Sequence, residues 1–174
     1  MKLLHRFSYC ILFSILFTGI LAGCASDSKK EAASPLSTLG WDATEDDMIS
    51  TEGTDYSTYD SVYGGTTYTY AKSYEGHDGT IKYMFNDTGA LMCIAWTCSF
   101  EQDDDLIALY EDIHAALEDA HGKSGYNTSN STSYGDVWYL DSGDIIISTM
   151  MTSSNKALQY SYLNPAVSNS SNSD

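Results

Sequence analysis

The sequence predicts an α+β fold in which two tandem α-β-β-β units form one antiparallel sheet of about six strands, with helices packed on one face. Two observations predict this fold. A helix-like segment followed by three strand-like runs occurs twice along the chain, and an Asp-Thr-Gly or Asp-Ser-Gly turn joins neighbouring runs in each half. The chain has 174 residues, of which 43% are hydrophobic and 13% aromatic, so it can bury the core of one ordinary domain.

The first unit begins with a helix predicted over residues 41–52. Thr44 is suited to the N-cap position, Asp47 follows it by three residues, and Gly53 is suited to end the helix. The three strand-like runs that follow lie at residues 66–72, 80–86 and 90–98.

The second unit begins with a helix predicted over residues 99–121. Ser99 and Gln102 are suited to a capping box, and Gly122 is suited to end the helix. An apolar face recurs at helical spacing and consists of Leu106, Leu109, Tyr110, Ile113, Leu117 and Ala120. The strand-like runs that follow lie at residues 136–140, 144–151 and 157–163.

The turn Asp87-Thr88-Gly89 predicts a three-residue hairpin loop with glycine in the left-handed conformation. This loop length places Phe85 opposite Leu91 on the neighbouring strand. We therefore expect Phe85, Leu91, Cys93 and Ala95 to share one face of the sheet.

The N-terminal residues have the pattern of an export signal. Lys2, His5 and Arg6 precede an apolar run over residues 7–21, and about 15 residues is shorter than the ~20 needed to span a bilayer. The run ends in Leu-Ala-Gly-Cys at residues 21–24, which resembles the bacterial lipoprotein box. The resemblance implies that residues 1–23 are removed as a lipoprotein signal peptide and that Cys24 is lipid-modified; the alternative is an ordinary secreted protein with a chance cysteine.

These patterns divide the chain into four parts. After the signal peptide, residues 24–39 are predicted to be a lipidated cysteine and a flexible tether, because they are small and polar. Residues 40–164 are predicted to be the folded domain and residues 165–174 a disordered tail. We expect the protein on the extracytoplasmic side of the cell membrane, because two or more acyl chains anchor a protein stably.

The charge balance excludes several classes of partner. The formal net charge is −16, and removal of residues 1–23, with Lys2 and Arg6, makes it −18. Nucleic acids and anionic lipid head groups need clustered Lys and Arg on the protein, so neither is an expected partner. Contact with the membrane is expected only through the lipid anchor, and an envelope protein or a cell-wall glycan is a candidate partner.

Cys93 and Cys98 are predicted to lie on opposite faces of one strand. Five residues of strand separate them by about 16 Å, whereas a disulfide needs Cα atoms within about 7 Å. They are expected to be free and mostly buried, and a disulfide would require a bend or bulge between them.

Three short motifs carry a family resemblance over roughly residues 40–163. They are Gly40-Trp41 before the first helix, YMFNDTGAL at residues 83–91 and WYL at residues 138–140. Together they resemble the β-lactamase-inhibitor-protein-like fold, the small outer-membrane-assembly lipoproteins that share it, and small lipoproteins of Gram-positive bacteria. The resemblance implies binding of proteins rather than catalysis.

The sequence contains no motif that predicts catalytic residues, a cofactor or a metal site. His114, Glu118 and His121 follow one another at helical spacing, but zinc motifs on helices are tighter and need a further ligand from elsewhere. The acidic runs at residues 46–47 and 103–105 are better explained by the preference for negative charge at helix starts.

The aromatic residues suggest a binding surface. Tyr68, Tyr70, Trp96 and Trp138 would form a partner surface if they lie on the sheet face without helices; ordinary strand preference is the alternative. The leading prediction is a lipid-anchored, non-enzymatic binding or scaffold module. The alternatives are an inhibitor or accessory subunit that docks on an envelope enzyme through the open sheet face, and a small hydrolase or glycan-handling protein.

Overall fold

The computed structural model describes residues 32–168. The elements in chain order are α1 (Glu45–Glu52), β1 (Ser57–Asp60), β2 (Gly64–Tyr74), β3 (His77–Asn86), β4 (Leu91–Ser99), α2 (Asp103–His121), β5 (Tyr126–Asn130), β6 (Ser133–Trp138), β7 (Asp144–Met151), β8 (Lys156–Leu163) and α3 (Pro165–Ser168). None of the helices within this range is long and apolar enough to cross a bilayer.

The eight strands form one antiparallel sheet in the order β1-β2-β3-β4-β8-β7-β6-β5. The prediction of two α-β-β-β units and about six strands is therefore wrong, because each of α1 and α2 is followed by four strands. The two missed strands, β1 and β5, are the edges of the sheet. Their sequences, STYD and YNTSN, are almost wholly exposed, so they lack the alternation of buried and exposed residues by which a strand is recognised.

Helix α1 has the predicted N-cap, Thr44, and the predicted end, but it begins at Glu45 rather than at residue 41. The Asp47 amide donates to the Thr44 hydroxyl (3.2 Å) and the Thr44 amide donates to the Asp47 carboxylate (3.0 Å), which completes a capping box. The helix ends at Gly53, which has a φ of 97°. Met48 of α1 is fully buried, and the Tyr68 hydroxyl of β2 donates to Glu45 (2.8 Å), so α1 is held against the first half of the sheet.

Helix α2 begins later than predicted. Ser99 is the last residue of β4 and pairs with Ala157, so it cannot cap a helix, and the predicted Ser99–Gln102 capping box is wrong. Gln102 is the N-cap and makes no side-chain cap bond with the described residues. The predicted apolar face is buried at Leu106, Leu109, Tyr110, Ile113 and Leu117, and Gly122 ends the helix.

Both helices pack on the same face of the sheet, which we call the covered face. Across the centre of that face, Ile94 and Trp96 of β4 lie directly opposite Tyr162 and Tyr160 of β8. Ile94 and Trp96 are fully buried, and Tyr160 is 1% exposed. The core therefore runs continuously across the junction between the two halves of the chain.

A register shift in the first hairpin corrects one prediction. Phe85 pairs with Leu91 as expected, but Met84 pairs with Cys93, so Met92 is an extra residue in β4. The bulge turns Cys93 and Ala95 onto the face opposite Phe85, which we call the open face. The prediction that these four residues share one face is wrong for Cys93 and Ala95, because a one-residue offset reverses the side-chain direction.

The described part of the predicted tether, residues 32–39, packs against the domain. Ala33, Leu36 and Leu39 are buried, and the Ala33 amide donates to the Leu39 carbonyl (2.6 Å). The Ser37 hydroxyl donates to the Tyr83 hydroxyl oxygen (2.9 Å), which joins this segment to β3. At the other end, the predicted tail begins with α3. The predictions for residues 1–31, including Cys24, and for residues 169–174 lie outside the described residues.

The glycine of the first hairpin provides a test of the turn. Gly89 has a φ of 79°, and a Cβ there would meet no described atom within 4 Å, so a substitution changes only the backbone preference. We expect Gly89→Val to lower the free energy of unfolding by about 1–2 kcal/mol in chemical denaturation. Gly89→Asn, which tolerates the left-handed region, is the matched control, and an equal loss in both variants would contradict this account of the turn.

Candidate functional site

The four aromatic residues predicted to form a partner surface lie in the core instead. Tyr68, Tyr70, Trp96 and Trp138 are on the covered face and are 9%, 5%, 0% and 1% exposed. Trp96 Nε1 donates to the Lys72 carbonyl (2.8 Å), and the other indole and phenol groups are also hydrogen-bonded. The prediction of a partner surface at these residues is wrong because alternation along a strand shows that two faces differ but not which face carries the helices.

The open face of the sheet offers no concentrated aromatic surface among the described residues. Its centre is small or polar, with Ala95 and Ser161 paired and both buried by their neighbours. The exposed tyrosines of this face, Tyr59 on β1 and Tyr126 on β5, lie at opposite edges of the sheet. Aromatic side chains are therefore not gathered where a flat partner would dock.

A groove on the helical side is the stronger candidate site. It has a volume of about 510 Å³ and lies between α2 and the β2–β3 turn, with Pro35 of the N-terminal segment also contributing. The α2 wall is one continuous helix face formed by Asp105, Ala108, Leu109, Asp112, Ile113, Ala116, Leu117, Ala120 and His121. The opposite wall and floor are formed by Tyr74, Glu75, His77 and Tyr160.

Small residues on α2 create the space. Leu109, Ile113 and Leu117 are buried against the sheet, whereas Ala108, Ala116 and Ala120 are exposed along the same helix face. Because alanine carries only a methyl group, the helix leaves an apolar channel between itself and the turn. The predicted apolar stripe of α2 thus contains both the core contacts and the groove, and only side-chain size separates the two.

The β2–β3 turn brings a carboxylate to the groove in an unfavourable conformation. Tyr74 pairs with His77, so Glu75 and Gly76 form a two-residue loop, with φ values of 48° and 78°. Glu75 is the only non-glycine residue with a positive φ in the range 32–168. A left-handed conformation costs a residue with a Cβ about 1–2 kcal/mol, and strain of this kind clusters at functional sites.

The floor of the groove holds an unpartnered hydroxyl. Tyr160 is 1% exposed and its ring packs against Tyr74, with ring centroids 5.9 Å apart. Its hydroxyl makes no hydrogen bond with residues 32–168, although every fully buried side-chain oxygen and nitrogen in that range has a partner. The Tyr160 hydroxyl must therefore reach the surface, and Tyr160 lines the groove. Burial raises its pKa, so the hydroxyl stays protonated at neutral pH.

A buried carboxylate fixes the α2 wall of the groove. Asp136 of β6 is fully buried and accepts hydrogen bonds from four side chains: Ser124 (2.6 Å), Asn127 (2.8 Å), His114 Nδ1 (3.0 Å) and Tyr110. We call this the Asp136 network. It ties two residues of α2 to the sheet. The signal in the sequence that could have revealed this network is an acidic residue, Asp136, in a strand-like run beside Val137 and Trp138.

The Asp136 network sets the ionisation of its own carboxylate. Burial alone would raise the pKa of Asp136, but hydrogen bonds from Ser124, Tyr110 and Asn127, with the nearby His114, lower it below its ordinary value of 3.8. The other carboxylate that is buried within residues 32–168, that of Asp144, has its pKa shifted in the opposite direction. Burial raises the pKa of Asp144, and a hydrogen bond from the Leu140 amide only partly offsets that effect.

The remaining sequence-predicted groups do not form a site. His114 joins the Asp136 network and lies 3.8 Å from Glu118, and among the described residues no group of three or more His, Cys, Asp or Glu side chains is placed to hold a metal ion. Cys93 and Cys98 are free, buried thiols on opposite faces of β4, as predicted. Burial raises the pKa of Cys93 to about 12 and that of Cys98 to about 11, which makes both thiols poor nucleophiles.

Comparisons of this chain with protein-family models, with curated proteins and with solved structures give no match. The resemblance of its motifs to the β-lactamase-inhibitor-protein-like lipoproteins therefore stays a prediction.

The two buried carboxylates provide a matched test of the Asp136 network. We expect Asp136→Asn to lower the free energy of unfolding at neutral pH by about 3 kcal/mol. The reason is that the four donors around residue 136 would no longer have a negatively charged acceptor. Asp144→Asn should lower the free energy of unfolding much less, because burial of Asp144 disfavours the charged form of its carboxyl group.

The two variants should also differ in pH dependence. Because the folded pKa of Asp136 is lowered, its contribution is present above the unfolded pKa and is lost as the pH falls through the folded pKa. The difference in free energy of unfolding between wild type and Asp136→Asn should therefore become smaller at acid pH, as measured by urea unfolding at a series of pH values. A difference that is constant with pH would contradict a charged network.

Proposed function

We propose that this protein is a non-enzymatic binding module and that its ligand occupies the groove between α2 and the β2–β3 turn. One observation carries the proposal: an apolar channel ends on a buried tyrosine whose hydroxyl has no partner among residues 32–168. A hydroxyl that reaches an open groove is left to bond with water, and a ligand that replaces this water can use the hydroxyl to fix its orientation.

The size and stiffness of the groove support this proposal. Its volume of about 510 Å³ falls within the range of about 300–1,000 Å³ typical of small-molecule sites. The Asp136 network holds the α2 wall, and Tyr74 packs against both Trp96 and Tyr160 on the other wall. A site whose walls are held in place loses little conformational entropy on binding, and affinity improves accordingly.

We also propose that the module works outside the cell, held to the membrane by a lipid on Cys24. The support is the basic start, the short apolar run and the Leu-Ala-Gly-Cys box. Ala33, the first buried residue in the described range 32–168, lies nine positions after Cys24. A chain of that length spans at most about 30 Å, so an anchored domain would stay close to the bilayer.

A second candidate, a small hydrolase or glycan-handling enzyme, draws on one observation. His114 Nδ1 lies 3.0 Å from Asp136 and the side chain is 30% exposed, an arrangement that orients histidines in general-base catalysis. The Ser124 hydroxyl, however, donates to Asp136 rather than to the imidazole ring. The geometry therefore supports an anchoring role for His114 better than activation of a nucleophile.

Two neighbouring alanines give a matched test of the groove. Ala115 and Ala116 are both exposed on α2, but only Ala116 lines the channel. We expect the neutral apolar dye N-phenyl-1-naphthylamine to bind and fluoresce with wild type and Ala115→Trp, and to bind Ala116→Trp at least about tenfold more weakly, because an indole fills the channel. Equal dye affinity in the two tryptophan variants would overturn the groove as the binding site.

The anchor has a separate test. In cells fed an alkyne fatty acid, we expect the wild-type chain to incorporate the label and Cys24→Ser to lose it and leave the membrane fraction. Cys93→Ser is the control, because that thiol is buried in the folded domain. Undiminished labelling of Cys24→Ser would exclude lipidation at this residue.

A further inference from the structure

We infer that the ligand of the groove is a small organic cation with an apolar body. This inference rests on the proposed function and adds the charge and chemical class of the ligand. It is drawn from the carboxylates, the aromatic rings and the hydroxyl that line the groove.

The charge of the groove favours a cation. Three lining residues carry carboxylates, Glu75 on the turn and Asp105 and Asp112 on α2, and none of the described lining residues is Lys or Arg. None of the three carboxylates makes an ion pair or hydrogen bond within residues 32–168. Asp105 and Asp112 are seven residues apart on one helix face, about 10.5 Å, so they flank the channel along two turns.

The charge of the whole chain acts in the same direction. The formal net charge of −16 surrounds the groove with a negative potential, which attracts cations and repels anions. An anionic ligand would have to lose solvent next to three carboxylates, and the basic side chains among the described lining residues are two histidines, His77 and His121. A cationic ligand instead finds carboxylates that are free to pair with it.

The apolar lining favours a ligand with a hydrocarbon body. Leu109, Ile113 and Leu117 form the deep side of the α2 wall, and the rings of Tyr74 and Tyr160 form the floor. Aromatic rings attract cations as well as apolar groups, and the Tyr160 hydroxyl can accept a hydrogen bond from an ammonium N–H. The ligand therefore needs an apolar body against the leucines and a positive group near the carboxylates.

The size of the channel favours a small molecule over a folded partner. About 510 Å³ lies within the range of sites that hold small molecules. One competing occupant comes from the chain itself, because Lys29 and Lys30 precede Pro35, which contributes to the groove. The experiment must therefore distinguish a lysine of the chain from an external small cation.

Three probes with the same body and different charge test the inference: 4-phenylbutylamine, 4-phenyl-1-butanol and 4-phenylbutanoate. The readout is an NMR titration of the full mature chain labelled with ¹³C in its alanine methyl groups, because Ala108, Ala116 and Ala120 line the groove and report its occupancy directly. We expect these methyls to shift with the amine, whose affinity should exceed that of the alcohol by about three- to tenfold and that of the acid by more.

Three variants locate the charged contact and the hydrogen bond. Asp112→Asn should weaken amine binding by about three- to tenfold and leave alcohol binding unchanged, because it removes a carboxylate and keeps the shape. Glu111→Gln is the control, since Glu111 is an exposed acid on α2 that does not line the groove. Tyr160→Phe should weaken the amine and the alcohol together, because it removes a hydrogen-bond partner that both can use.

Each contrary outcome has a definite meaning. If the three probes shift the groove methyls with equal affinity, the binding module stands and the cationic ligand is refuted. If no probe shifts these methyls, the proposed function fails as well. If Lys29→Gln with Lys30→Gln moves the groove methyls without any probe and strengthens amine binding, the groove is occupied by the chain's own segment, and the small-cation inference is overturned.

Discussion

The pairing of β4 with β8 is the constraint on which the rest of the structure depends. These are the last strands of the two halves, and their register places Trp96 directly opposite Tyr160 in the middle of the covered face. The pairing joins eight strands into one sheet and puts both helices on the same side. It also brings the β2–β3 turn of the first half beside α2 of the second, so the groove is shared between segments far apart in the sequence.

A buried or half-buried carboxylate then fixes each helix to the sheet. In the first half, Glu52 of α1 accepts hydrogen bonds from Tyr83 and Lys72. In the second half, Asp136 accepts from Tyr110 and His114 of α2. Removing one partner from such a network leaves the others buried without compensation, so these carboxylates hold the helices in one position. Because the helices are held in this way, the walls of the groove are also held in place. The turn with Glu75 at positive φ lies at the edge of the groove.

The parts of the fold that local chemistry decides could be predicted from the sequence. The capping box at Thr44, the buried stripe of α2 and the pairing of Phe85 with Leu91 each depend on residues close together in the chain. The edge strands β1 and β5 could not be predicted, because exposed polar strands are specified by their neighbours' free hydrogen-bonding groups. The bulge at Met92, the inward direction of Trp138 and the groove itself depend on tertiary packing, which periodicity alone does not encode.

The central claim is that a ligand sits on Tyr160 in the groove, and intermolecular nuclear Overhauser effects test it most directly. With 4-phenylbutylamine bound to the labelled chain, the account predicts effects from the probe's protons to the ring protons of Tyr160 and to the methyls of Ala116 and Ala120. Effects confined instead to residues of the open face, such as Tyr126 or Met150, would contradict the account and would favour the open face as the binding surface.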